Sequence, residues 1–148
     1  MSDVVATAER IVRAPAERTL AALADYEDVR PRLVTEKFLD YRVEAGGQGA
    51  GTRVAWRFAA NRSRVREQVM IVTQPTENTL VESDENSTLV TTWTVHRIGG
   101  GGTTVRVRTS WEGASGVGGF FERTFARPGL RKVYDRMLER LDAMIGAG

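Results

Sequence analysis

The 148 residues include no cysteine and a single histidine. Disulfides and thiolate metal sites are therefore excluded. A zinc centre would need three carboxylates or water, an unusual set, so neither a metal nor a cofactor is expected. His96, with no cysteine and no Gly-x-Ser-x-Gly element in the chain, gives no nucleophile–base pair. No apolar run approaches the ~18 residues that cross a bilayer. The opening stretch, residues 1–10, lacks a basic segment followed by an apolar one, so no signal peptide is expected. The expected location is the cytoplasm, which an absence of cysteine also fits. Excess charge of one sign is missing too. Twenty-one Lys and Arg stand against 19 Asp and Glu, a net charge of +2, too small to imply a polyanionic partner. The glycine runs at residues 46–51 and 99–102 lack the Lys-Ser/Thr of a phosphate loop and read as hairpin turns.

What is present is periodicity. Residues 4–14 are rich in Val, Ile and Thr and read as a strand, although imperfect alternation leaves its inward face open. Pro15 suits the first turn of a helix, predicted over residues 16–24, and a second short helix follows over 26–33, limited by Pro31. Period-two patterns then predict strands over 38–44, 52–59, 63–73 (ended by Pro75), 79–83, 89–98 and 103–111, joined by short turns as an antiparallel meander. The tail reverts to helical spacing, with Phe121, Phe125, Leu130, Val133, Met137, Leu141 and Met144 on one stripe and a break expected at Pro128-Gly129. The predicted class is one α+β domain over residues 1–148, a helix-grip fold. In it a curved seven-stranded antiparallel sheet surrounds a long C-terminal helix, with two short helices after the first strand.

Three segments carry a resemblance. Ile11-Val12-Arg13-Ala14-Pro15-Ala16-Glu17-Arg18 is similar to the Ile-x-Ala-Pro-x-Glu opening of the START-like superfamily, in its SRPBCC branch of polyketide cyclase/dehydrase and lipid-transport proteins. The strand pair Thr92–Val95 and Thr104–Val107 around a glycine loop resembles the same branch. So does Gly119-Phe120-Phe121-Glu122-Arg123 followed by Leu130, Leu138 and Leu141. The resemblance implies a cavity between sheet and terminal helix. It also implies a hydrophobic ligand such as a lipid, polyketide, sterol, quinone or plant hormone. Some members are aromatase/cyclases, and the branch has no shared catalytic motif to place on numbered positions.

On this basis the predicted cavity wall comprises Tyr41, Val54, Trp56, Phe58, Glu67, Val69, Trp93, Val95, Trp111, Phe121 and Phe125. The three tryptophans either line a pocket or fill the core, since both uses suit large aromatics. Glu67 shares parity with Val65, Val69 and Ile71. It therefore points inward as a desolvated carboxylate able to act as an acid, unless a bulge sends it to solvent. Arg53, Arg57, Arg64, Arg66, Arg106 and Arg108 fall on the outer face, as an anion-binding patch or as an ordinary solvated surface. The base-stacking aromatics lie on the other face, so no nucleic acid is expected. The functional expectation is a carrier or sensor of a hydrophobic small molecule, entered near the glycine loops and the Pro128-Gly129 break. Two alternatives stand beside it: a polyketide aromatase/cyclase using Glu67 or Tyr41, and a protein-interaction adaptor with a filled core. A monomer or weak homodimer is expected.

Overall fold

The computed structural model describes residues 3–61, 64–112 and 127–146. Strand β1 (Asp3–Val12) leads into helices α1 (Ala16–Leu23) and α2 (Arg30–Leu33). Six strands follow: β2 (Phe38–Ala45), β3 (Arg53–Asn61), β4 (Arg64–Thr76), β5 (Thr79–Asp84), β6 (Val90–Arg97) and β7 (Thr103–Glu112). The C-terminal helix α3 spans Arg127–Ile145. The strands form one seven-stranded antiparallel sheet in the order β1-β7-β6-β5-β4-β3-β2. Its concave face is filled by α3, giving the helix-grip arrangement.

The inner face follows from strand parity. In β7 the residues Val105, Val107, Thr109 and Trp111 are buried in strict alternation, and in β6 so are Thr91, Trp93 and Val95. Strand β1 contributes Ala6, Ala8 and Val12 to the same face. Among the strands, α3 packs most closely on β1, and the small alanines there let the helix backbone approach. Leu130, Val133, Tyr134, Met137, Leu138, Leu141 and Ile145 form the buried stripe of α3, as helical spacing requires.

Two strands differ from the period-two reading, each for a local reason. In β2 a register shift between Leu39 and Arg42 surrounds Asp40, whose φ of 54° is left-handed. This bulge lets Phe38, Tyr41 and Val43 all pack on the core, although strict alternation would separate Phe38 from the other two. In β4 Trp56 pairs with Gln68 and Val54 with Met70, without interruption from Arg53 to Ala59. The inward set of β4 is therefore Gln68, Met70 and Val72. Val65, Glu67, Val69 and Ile71 occupy the outer face, the reverse of the expectation. Pro75 does not end β4. The strand runs to Thr76 across a register shift between Thr73 and Thr76, the kind of irregular place where a residue without an N–H is tolerated.

The loop over residues 46–51 is held against the end of α1. Tyr26 N–H donates to Gly47 O at 2.9 Å, and Gly49 N–H donates to Ala24 O at 2.8 Å. Gly47 has φ 132°, a backbone conformation that side chains rarely adopt, so a larger residue would strain this docking. Pro128-Gly129 lies in the first turn of α3, the position that accepts proline best.

Candidate functional site

Between the concave face and α3 lies a cavity of about 30 Å³, room for one or two water molecules. The three tryptophans were expected either to line a pocket or to fill the core; with so small a cavity, most of the interior is filled. The wall is apolar and aromatic: Phe38, Trp56, Phe58, Met70, Trp93, Leu130, Tyr134 and Met137 contribute to it. Among the described residues, the charged side chains on it are Arg30 and Glu82.

Arg30 arrives on α2, whose first turn also holds Pro31. Its Nε donates to Leu23 O at 2.7 Å, one of the carbonyls left over where α1 stops. Its Nη2 donates to Glu82 Oε2 at 2.6 Å, and both side chains are 3% exposed. Tyr26, one helical turn earlier in sequence, donates its hydroxyl to the same Oε2 at 2.5 Å. The guanidinium lies 4.6 Å from the ring centroids of both Tyr26 and Trp93, a cation–π sandwich that offsets part of its lost hydration. Tyr41 closes the back of the cluster, its hydroxyl donating to Tyr26 O at 2.6 Å and its ring stacking on Trp56.

The electrostatics follow from burial. Desolvation drives the Tyr26 hydroxyl far above its ordinary pKa; the Arg30 charge opposes this, and Glu82 reinforces it. Desolvation raises Tyr41 in the same way. For Arg30, burial favours the neutral form, but the Glu82 carboxylate together with Tyr26 and Tyr41 outweighs it and holds the guanidinium above its usual value. Tyr26 is therefore a neutral donor, and Arg30 is a fixed cation.

Four further polar groups border the cavity: Gln68, Thr91, Tyr134 and the Trp93 indole N–H. Gln68 accepts the Trp56 indole N–H at 2.8 Å. Thr91 and Thr109 share a bond of 2.8 Å, and Tyr134 hydrogen-bonds Thr109. Burial pushes the Tyr134 hydroxyl up against these bonds. The buried indole N–H of Trp93 has no hydrogen-bond partner.

The residues anticipated from sequence divide into several groups. Trp56, Phe58 and Trp93 line the cavity. Val54, Val95 and Trp111 are buried on the same face but away from it, and Tyr41 is half-buried behind Trp56. Val69 is buried on the opposite face, its backbone paired with Ala55. Glu67 points to solvent, its side chain 52% exposed and ion-paired with Arg42. No bulge sends it there; the whole strand has the other parity. Phe121 and Phe125 lie outside the described residues. The carboxylate that does face inward, Glu82, shares parity with the buried Leu80 and Asp84 of β5, a signal the sequence carries. Arg30 has no such signal, because a four-residue helix has no periodicity to read. Neither glycine loop contributes to the cavity wall, so an entrance beside them has no support.

Of the outer-face arginines anticipated from sequence, Arg53 pairs with Glu44 and Glu85 and Arg57 with Asp40, while Arg66 donates to Asn86 O; Arg42 on the neighbouring strand pairs with Glu44 and Glu67. No group of three or more metal-ligating side chains occurs among the described residues, and none of their helices is long and apolar enough to cross a membrane.

A sheet gripping a terminal helix over an apolar chamber with a few buried polar groups defines a START-like, SRPBCC-type domain. The chain belongs to the polyketide cyclase / dehydrase and lipid transport family, whose model matches residues 3–146. It is similar to the solution structure of the KanY protein, with 42% identity over 98% of this chain and 99% of that one and a TM-score of 0.87. TTHA0849 from Thermus thermophilus shares the fold at 21% identity and a TM-score of 0.76, over 96% and 97% of the two chains. A START superfamily protein from Mycobacterium smegmatis does so at 13% identity and a TM-score of 0.67, over 95% and 96%. A comparison with curated proteins finds no match.

Proposed function

We propose that this protein binds a hydrophobic small molecule in the chamber between the concave sheet and α3. The observation that carries this reading is the polar cluster set into an otherwise apolar wall. A core built for stability alone gains little from a buried Arg30–Glu82 pair, which well-packed apolar residues replace at no loss in many proteins. Ligand sites, by contrast, combine apolar walls with a few oriented polar groups, and Arg30, Glu82, Gln68 and the unpartnered Trp93 N–H fit that description. The family description, with its lipid transport and polyketide chemistry, supports the same reading.

A volume of about 30 Å³ requires the chamber to widen on binding. Met70 and Met137, unbranched and readily repacked, stand on its wall. A cyclase-type reading shares the site, with the hydrogen-bonded Tyr26–Glu82 pair, not Glu67, as its proton-handling group. The filled-core adaptor is the reading that the small volume favours.

The test is a titration of tryptophan fluorescence with β-acetonaphthone, a neutral aromatic ketone, alongside native mass spectrometry of the purified protein. Saturable quenching with a one-to-one bound mass is expected, and it is lost in Trp93→Phe/Trp56→Phe. Absence of any bound mass at saturating probe, with unchanged fluorescence, would favour the adaptor.

A further inference from the structure

We infer that the ligand of this chamber is electrically neutral at its buried end and carries there an oxygen that accepts from Arg30, either a carbonyl or a hydroxyl that also donates to Glu82. The inference rests on the binding function proposed above and narrows its substrate class.

The argument is a charge balance. Among the described residues the charged groups on the cavity wall are Arg30 and Glu82, and they face each other at 2.6 Å. Their charges cancel. A carboxylate or sulfonate brought beside them would leave one uncompensated negative charge in a space screened from water, which is costly. An ammonium would leave a positive one. A neutral oxygen brings no such imbalance.

The unused valences describe the group more closely. The cluster engages Nε and Nη2 of Arg30 and Oε2 of Glu82. Among the described residues no hydrogen bond is recorded for Nη1 of Arg30, a donor, or Oε1 of Glu82, an acceptor, and the Trp93 N–H adds a second donor on the same wall. The two donors suit a carbonyl, and the acceptor beside them also admits a hydroxyl that accepts from Arg30 or Trp93 while donating to Glu82. Tyr26 contributes no free proton to this arrangement, because its hydroxyl is committed to Oε2. The buried Asp84 does not alter the balance. Its carboxylate is taken up by Val69 N–H, Asn86 N–H and the Ser87 hydroxyl, and it is not part of the cavity wall.

The experiment compares two probes of nearly equal shape, β-acetonaphthone and β-naphthoate, by calorimetry at neutral pH. The ketone is expected to bind at least about tenfold tighter, a difference set by the uncompensated charge. Naphthoate binding as tightly, with an affinity indifferent to pH, overturns the inference and leaves the binding function standing. Naphthoate affinity that climbs about tenfold for each unit of falling pH supports the inference, because the acid is then entering as its neutral form. If neither probe binds, the binding function itself fails and the inference with it. Glu82→Gln supplies the reciprocal measurement: with Arg30 left unbalanced, the preference is expected to swing toward naphthoate. The comparison in the unsubstituted protein decides the matter even if that variant does not fold.

Discussion

Glu67 and Glu82 are both strand glutamates, yet their surroundings make them opposites. Glu67 sits in water against Arg42, where an ion pair contributes little. Glu67→Gln is expected to leave the urea midpoint and probe affinity unchanged. Glu82 is enclosed with Arg30, and removing one partner strands the other. Glu82→Leu or Arg30→Met alone should cost about 3–5 kcal/mol, and the double replacement should recover most of that loss. A double-mutant cycle in urea measures the coupling; additive losses would show that the two residues do not support each other. Glu82 was missed from sequence, although parity in β5 carries the signal, since it stands between Leu80 and Asp84 in an alternating strand. In β4 the sequence misleads because apolar residues occupy both faces. Val65, Val69 and Ile71 form an outer stripe as convincing as the inner one of Met70 and Val72, and the choice is made by pairing with β3, which is not local information.

At the scale of elements, the strand order and the terminal helix were readable because long periodic segments carry their own signal. The β2 bulge was not, since it depends on one residue adopting φ 54°. Asp tolerates that conformation and a β-branched residue does not. Asp40→Val should therefore lose about 1–2 kcal/mol and shift the near-ultraviolet circular dichroism of the Tyr41–Trp56 stack. An unaltered spectrum would mean that the bulge does not aim Tyr41. The C-terminal end of α3 is fastened to the end of β1 through Asp142, which accepts from Arg13 N–H at 3.0 Å and pairs with the Arg13 and Arg10 side chains. The Arg13 N–H bond, more than the neighbouring charges, holds its carboxyl below the ordinary value. A folded-state pKa below the unfolded one means that this stabilisation is present above the unfolded value, near about pH 4, and drains away as pH falls from there through the lower folded value. Asp142→Asn should flatten the acid limb of stability against pH in urea melts between about pH 6 and pH 3; an unchanged slope would assign the acid loss to other carboxylates.

At the scale of the whole molecule, α3 is held at its far end and joined to α2 by Arg140, which donates to Val34 O at 2.6 Å. Leu130 and Tyr134, nearer its start, border the chamber. Leu141, by contrast, is fully buried near the fastened end of the helix. The irregularity in β2 has one more effect. An outermost strand with unpaired peptide groups is an invitation for another chain to zip on and extend the sheet. β2 is such a strand, but its kink breaks the straight run of peptide groups, and Asp40, Arg42 and Glu44 studded along it repel a flat partner. The same twist of backbone that turns Tyr41 inward thus makes this rim a poor template for adding a strand.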